Sequence, residues 1–239
     1  MLPSWANSNC SCQKSTESRL KLQNTHRYGK ILRVLSCYNF SALGEDMTLR
    51  MRSIGSEQQR RWCAGTAERA SVAVDGRGNV FVHDGYINGR IQVFRISDGA
   101  YVRSLCSKGS GPGQLQGEGS ISFDVDGNIV VADGGNHRLQ ILRYSDGALL
   151  RTIGIHGTGA GEFNYPVGFA FDDAGHVIVA DCANHRVQVL RYVDGTHVRT
   201  IGSGGSALGQ FNRIYGVAID RAGCIFAADC LNHRIQVLH

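Results

Sequence analysis

The stretch VVADGGNHRLQILRYSDGALLRTIG at residues 130–154 returns almost unchanged as IVADCANHRVQVLRYVDGTHVRTIG at residues 178–202. The offset is 48 residues. It holds for Asp133, Asp181 and Asp229, for Asn136, Asn184 and Asn232, for His137, His185 and His233, and for Arg138, Arg186 and Arg234. An earlier copy at 83–105, HDGYINGRIQVFRISDGAYVRSL, keeps Asn88, Arg90 and Gln92 in register, shifts Asp84 by one residue and has Gly89 where the others have histidine. Self-similarity at a fixed period of this size means that each copy is one supersecondary unit, stable only when stacked on its neighbours.

Apolar alternation and turn signals mark four short strands in each period. In the second copy they fall at 120–124, 128–132, 138–143 and 148–153, with residues 133–137 as a polar turn. The pairs Asp126-Gly127 and Asp146-Gly147 read as two-residue hairpin turns, where glycine accepts positive φ without strain. No helical pattern intervenes. Four antiparallel strands in 40 to 50 residues predict an all-β propeller whose blades bury their apolar faces against one another.

Composition agrees. The 239 residues, 42% hydrophobic and 19% charged, suffice for one sizeable domain. Thirty-one glycines against three prolines, without a Gly-x-y period, exclude collagen and favour a turn-dense β protein. No 18-residue apolar run occurs, and the amino terminus lacks the charged start and apolar middle of a secretory signal, so the expected setting is cytoplasmic, away from membranes. The net charge of +5 is unevenly placed: residues 1–70 hold 11 Lys+Arg against 5 Asp+Glu, and residues 71–239 hold 14 against 15. The repeat region therefore nets −1, and DNA is not an expected partner. Eight cysteines without an export signal read as reduced thiols, and the Cys10-x-Cys12 spacing does not suit a structural zinc site.

The recurring motif Ala-Asp-x-x-Asn-His-Arg, then an aliphatic residue, Gln, Ile or Val, and Leu, resembles the NHL repeat across residues 71–239. That resemblance implies a six-bladed propeller that binds proteins or RNA, often within a larger ubiquitin ligase or signalling protein, and in a minority of relatives an enzyme. No RING-like spacing occurs in residues 1–70, so the catalytic module of such a ligase would lie elsewhere.

The repeats run at about 71–106, 120–154, 167–202 and 215–239, after a basic, weakly structured or degenerate segment at 1–47. Residues 48–55, Thr-Leu-Arg-Met-Arg-Ser-Ile-Gly, are similar to the strand at 149–154 and read as a strand that completes the last blade. Residues 48–239 then amount to four periods of 48, either a small closed ring or an arc of a larger one. The arc is preferred, because packing angle follows blade sequence.

Strand order sends the loops after the second and fourth strands to one face. That face carries DGYING, DGGNH, DCANH and DCLNH with the longer segments CSKGSGPGQLQ, GIHGTGAGEFNYP and GSGGSALGQFNRIY. Loops on a rigid scaffold carry function, so the candidate binding residues are Asn136, His137, His156, Asn164, Tyr165, Asn184, His185, Asn212, Arg213, Tyr215, Asn232 and His233. The expected partner is a protein or peptide, with RNA as the alternative.

Other chemistries are weighed against blander roles. A side chain that recurs in every blade does a job once per blade, so Asp and Asn oxygens are expected to accept turn N–H bonds, His to pin the loop, Arg to pair with a carboxylate, and Gln92, Gln140, Gln188 and Gln236 to bridge strands or blades. A metal-dependent lyase or hydrolase would need acids and histidines unique to one blade; the non-recurrent histidines are His83, His156, His176, His197 and His239. No catalytic residue, metal or cofactor is assigned. The glycine runs 109–113 and 157–161 precede strands, not the helix a phosphate cradle requires, and read as blade-to-blade crossovers anchored by Leu115, Phe163 and Phe211. Cys182 and Cys230 read as unpaired loop thiols. Arg95, Arg143 and Arg191, with Arg103, Arg151 and Arg199, invite a phosphate groove, yet Asp98, Asp146 and Asp194 offer pairing within each blade.

Overall fold

A computed structural model describes residues 71–238. The first blade is β1 (Ser71–Val74), β2 (Asn79–Asp84), β3 (Arg90–Arg95) and β4 (Tyr101–Leu105), each antiparallel to the next. A crossover follows in which β5 (Ser107–Lys108) and β6 (Gln114–Leu115) pair in parallel. The second blade is β7 (Ile121–Phe123), β8 (Ile129–Asp133), β9 (Arg138–Leu142) and β10 (Leu149–Ile153). After the crossover pair β11 (Ile155–His156) and β12 (Glu162–Phe163) comes the third blade, β13 (Pro166–Phe171), β14 (His176–Asp181), β15 (Arg186–Arg191) and β16 (His197–Ile201). A third crossover pair, β17 (Ser203–Gly204) and β18 (Gln210–Phe211), leads to β19 (Ile214–Ile219), β20 (Ile225–Asp229) and β21 (Arg234–Leu238), the described strands of the fourth blade. This is an all-β, four-bladed propeller arrangement. The proposed closing strand at 48–55 lies outside the described residues.

In the second and third blades the central strands are buried on both faces, because each of these blades is sandwiched between two others. Ile129 and Val131 of β8 join Phe81, Ile91 and Val93 of the first blade, while Val130 and Ala132 of the same strand join Phe163, Val177 and Val179 on the other side. Ile178, Val187 and Val189 then pack on Phe211, Ile214 and Val217. Burying a side chain of this size stabilises by roughly 1.5–3 kcal/mol. Leu115, Phe163 and Phe211 are fully buried, as expected of crossover anchors.

The onward face of the fourth blade differs. Its Ile235 is 70% exposed, whereas Ile91, Leu139 and Val187, at the same register of the preceding blades, are fully buried. Among the described residues no sheet covers that face.

The turns correct one expectation. Gly127 and Gly147 take positive φ, but their aspartate neighbours do not, so these are not turns with two left-handed residues. Instead Asp124 Oδ1 accepts the N–H groups of Asp126 and Asn128, and Asp146 Oδ1 accepts that of Ala148. The carboxylate substitutes for a backbone acceptor and allows a longer loop.

Candidate functional site

The loops after the second and fourth strands meet on one face, joined by backbone bonds from Gly135 N–H to Gln116 O, Ala183 N–H to Asn164 O and Leu231 N–H to Asn212 O. In the second, third and fourth blades the loop after the second strand is one turn of 3-10 helix, at Gly134–Asn136, Cys182–Asn184 and Cys230–Asn232, ended by a histidine in the left-handed conformation.

Asp181 shows what the recurring polar residues do. Fully buried, it accepts Asn164 N–H at 2.7 Å through one oxygen, and Asn184 Nδ2, Arg186 Nε and Gln188 Nε2 through the other. Those three partners reach onward to the crossover loop: Asn184 donates to Gly157 O, Arg186 to Thr158, Gly159 and Glu162 O, and Gln188 to Glu162 O while accepting Gly161 N–H. Asp133 and Asp229 organise the same network in their blades. Burial works to raise the Asp229 carboxyl, but its bonds from Asn212 N–H, Asn232, Arg234 and Gln236 outweigh it and hold the group below the usual carboxylate value.

Two details differ from expectation. The asparagines donate where acceptance was expected, because each faces a carboxylate and a carbonyl. The backbone N–H that each aspartate accepts comes from the crossover, not from its own turn. Structural roles hold for Asp, Arg and Gln in the second to fourth blades, and the glycine runs are strapped loops followed by strands.

The histidine faces the other way. His137 Nδ1 accepts Tyr165 N–H at 3.1 Å, and His185 Nδ1 accepts Arg213 N–H at 3.1 Å. Each therefore pins the crossover leading to the next blade. Tyr165 and Arg213 are themselves left-handed, with φ of 58° and 59°. Such a conformation costs a non-glycine residue about 1–2 kcal/mol. The equivalent of Tyr165 one period earlier is Gly117, and the equivalent of its histidine is Gly89. Glycine stands where there is no clamp. This pairing at a separation of 28 residues was present in the sequence, legible as a covariation between copies, and was missed.

On this face, the Tyr165 ring lies beside Gly117 and Gly134. Burial pushes its phenol up; the Glu118 backbone amide bonds to it, and Glu118, Tyr86 and Tyr215 are its electrostatic neighbours. Cys182, one residue after Asp181, is buried and its thiol is pushed up to about 12 by burial, with Arg213 opposing and Glu118 adding. Both Cys182 and Cys230 are free thiols. His156 stacks on His137 with ring centroids 4.1 Å apart. Of the candidates, Arg213, His156 and His233 are exposed and the others are half-buried. Outside the candidates, the loop-face apolar residues most open to solvent are Leu208 and Ile155 in the crossovers, at 91% and 66%, followed by Tyr86 and Leu231 in the loops after the second strands, at 57% and 50%.

The opposite face disposes of the arginines. Arg95, Arg143 and Arg191 pair with Asp98, Asp146 and Asp194 in their own turns. Arg103 and Arg151 instead reach the next blade: Arg103 donates to Tyr144 O at 2.6 Å, and Arg151 lies over the Tyr192 ring. Tyr144 donates to Asp75 and Tyr192 to Asp124, one blade back. No group of three or more His, Cys, Asp or Glu side chains among the described residues is placed to hold a metal ion, and no described helix is long and apolar enough to cross a membrane.

Antiparallel sheets packed face to face, the second, third and fourth each gripping the crossover that leads into it, define a β-propeller. The family model of the NHL repeat matches residues 119–142 and 163–190. These two segments carry NHL repeats. It matches no curated protein. Among solved structures it resembles an auxiliary nutrient binding protein from Bacteroides ovatus (TM-score 0.52, 18% identity, covering 71% of this chain and 48% of that one). It also resembles the WD40 β-propeller domain of Doa1 (0.51, 11%, 71% and 49%) and streptogramin B lyase (0.52, 12%, 71% and 50%). The chain thus spans about half the length of these structures, and identities this low establish the fold alone.

Proposed function

We propose that this propeller is a non-enzymatic recognition scaffold that binds a protein or peptide through the loop face, in the cytoplasm. One observation carries the reading. The Asp, Arg and Gln side chains that recur in the second, third and fourth blades are spent on bonds inside the fold, whereas the exposed loop-face residues Tyr86, Arg213 and Leu231 differ from blade to blade. Recognition needs an asymmetric surface, and aromatic and arginine side chains are the usual anchors of protein interfaces. The second reading, RNA, has less support, because Arg95, Arg143 and Arg191 are paired with carboxylates and the repeat region nets −1.

Photo-reactive residues placed at Tyr86 and Leu231 test this, with controls at Val125 and Val193 in turns of the opposite face, both strongly exposed. Protein adducts from the first pair alone, abolished by Arg213→Glu without a change in melting temperature, are the expected result. Equal labelling from both faces would discard the loop face. Nuclease-sensitive adducts at Tyr86 and Leu231 would transfer the assignment to RNA.

A further inference from the structure

The clamp between His137 and Tyr165 depends on a lone pair. A backbone N–H donates to Nδ1 of His137, so that nitrogen carries no proton and the neutral ring holds its proton on Nε2. An imidazolium has N–H groups at both positions and accepts nothing. Protonation of His137 would set two donors against each other at a 3.1 Å contact.

What the clamp holds is strained. Tyr165 occupies the left-handed region without being glycine, and the residue in its place one crossover earlier, where no histidine stands, is Gly117. Strain of this kind persists only while the surroundings determine it, and it concentrates where a conformation matters for function. Here it sets the Tyr165 ring beside Gly117 and Gly134, on the loop face.

The groups facing His137 come from three elements. His156 of β11 stacks on the ring, Asp133 lies before it in its own loop, and Asp181 approaches from the third blade. Both aspartates are already committed to arginines, Arg138 and Arg186. Burial lowers the affinity of His137 for a proton, and His156 adds to this, against the pull of the two carboxylates. Neutral pH therefore leaves the clamp closed. His185 closes the same clamp on Arg213 but lacks the stacked partner, since Gly204 stands at the position of His156.

We infer that His137 is a pH-sensitive positioning residue: neutral, it fixes Tyr165 on the loop face, and protonated, it releases Tyr165 so that the face loses its binding geometry in mild acid. The consequence for binding rests on the loop-face reading above; the clamp itself does not.

The test is a titration of the full chain by nuclear magnetic resonance from about pH 8 to about pH 5, the range in which histidine charge changes. It follows the Tyr165 amide and the His137 ring protons. The expected result is a common midpoint for the two, below the ordinary histidine value. In His137→Asn, the side-chain oxygen takes the place of Nδ1, the residue tolerates the left-handed conformation, and the clamping group itself no longer titrates. The Tyr165 amide of that variant should stay fixed across the range. His137→Ala should lose the amide position at every pH if it folds. A Tyr165 amide that ignores the His137 titration, or that moves equally in His137→Asn, would overturn the proposal. No partner is needed, so failure here is distinct from failure of the cross-linking experiment.

Discussion

Gly154 turns the chain out of the second blade directly against the ring of Phe163, so close that any side chain at Gly154 would collide with that ring. The same pair recurs as Gly202 and Phe211. One period earlier the glycine is Cys106 and the anchor is the smaller Leu115. Bulk at one position trades against bulk at the other. Gly154→Ala should destabilise by about 2–5 kcal/mol, combining the left-handed conformation with overpacking. Urea unfolding measures this, and Gly154→Ala with Phe163→Leu should recover part of the loss, as Cys106 and Leu115 coexist.

Asp181 is the hub of four bonds, and its removal leaves Arg186 and the Asn164 amide without their acceptor. Asp181→Ala is expected to cost about 3–5 kcal/mol, the range for breaking one side of a buried ion pair. Surface Asp146→Ala, which breaks an exposed pair with Arg143, should cost under about 1 kcal/mol. Similar losses for the two would refute the hub.

Leu139 and Ile235 occupy the same register in different blades, one buried and one exposed. Leu139→Ala should destabilise by about 2–5 kcal/mol and Ile235→Ala by no more than about 0.5 kcal/mol. A large loss at Ile235 would mean that the onward face of the fourth blade is covered in solution.

His83 gives the fold a pH dependence of its own. Its Nδ1 contacts Gly119 O at 2.8 Å, as a donor, while Nε2 is buried with no hydrogen-bond partner among the described residues. Burial lowers the pKa from 6.5, against the bond to Gly119 and the charges of Asp133 and Asp84. The unfolded chain therefore takes up a proton before the folded one does. Stability from this group is fully present above pH 6.5 and is lost as pH falls below it. Melting temperatures should decline from about pH 7 to about pH 5, and His83→Ala, the residue at this point of the other blades, should flatten the decline.

Alkylation separates the thiols. Cys182 is buried with its thiol pushed up to about 12, whereas Cys230, at the same place in the next blade, is exposed. Iodoacetamide on native protein should modify Cys230 and spare Cys182; modification of both at one rate would contradict the burial of Cys182.

Much of this architecture was legible in the sequence. The 48-residue period, the four strands per blade, the crossover anchors Leu115, Phe163 and Phe211, and the pairing of Arg95, Arg143 and Arg191 with nearby aspartates all follow from recurrence. Strand boundaries came within a residue: 128–132 against Ile129–Asp133 for β8. The turn type did not, because an aspartate carboxylate can serve as a backbone acceptor, and a sequence does not say which donors it will meet.

The sequence by itself determined that these residues form blades, since alternation and period depend only on neighbours along the chain. Tertiary structure alone decided what each recurring side chain touches. Asp181, Asn184, Arg186 and Gln188 grip a crossover 17 to 28 residues away, and Tyr144 reaches back a whole blade to Asp75. His137 and Tyr165 meet for the same reason: a hydrogen bond between residues 28 apart requires two packed blades to bring them together, and repetition in the sequence records that meeting without naming the atoms.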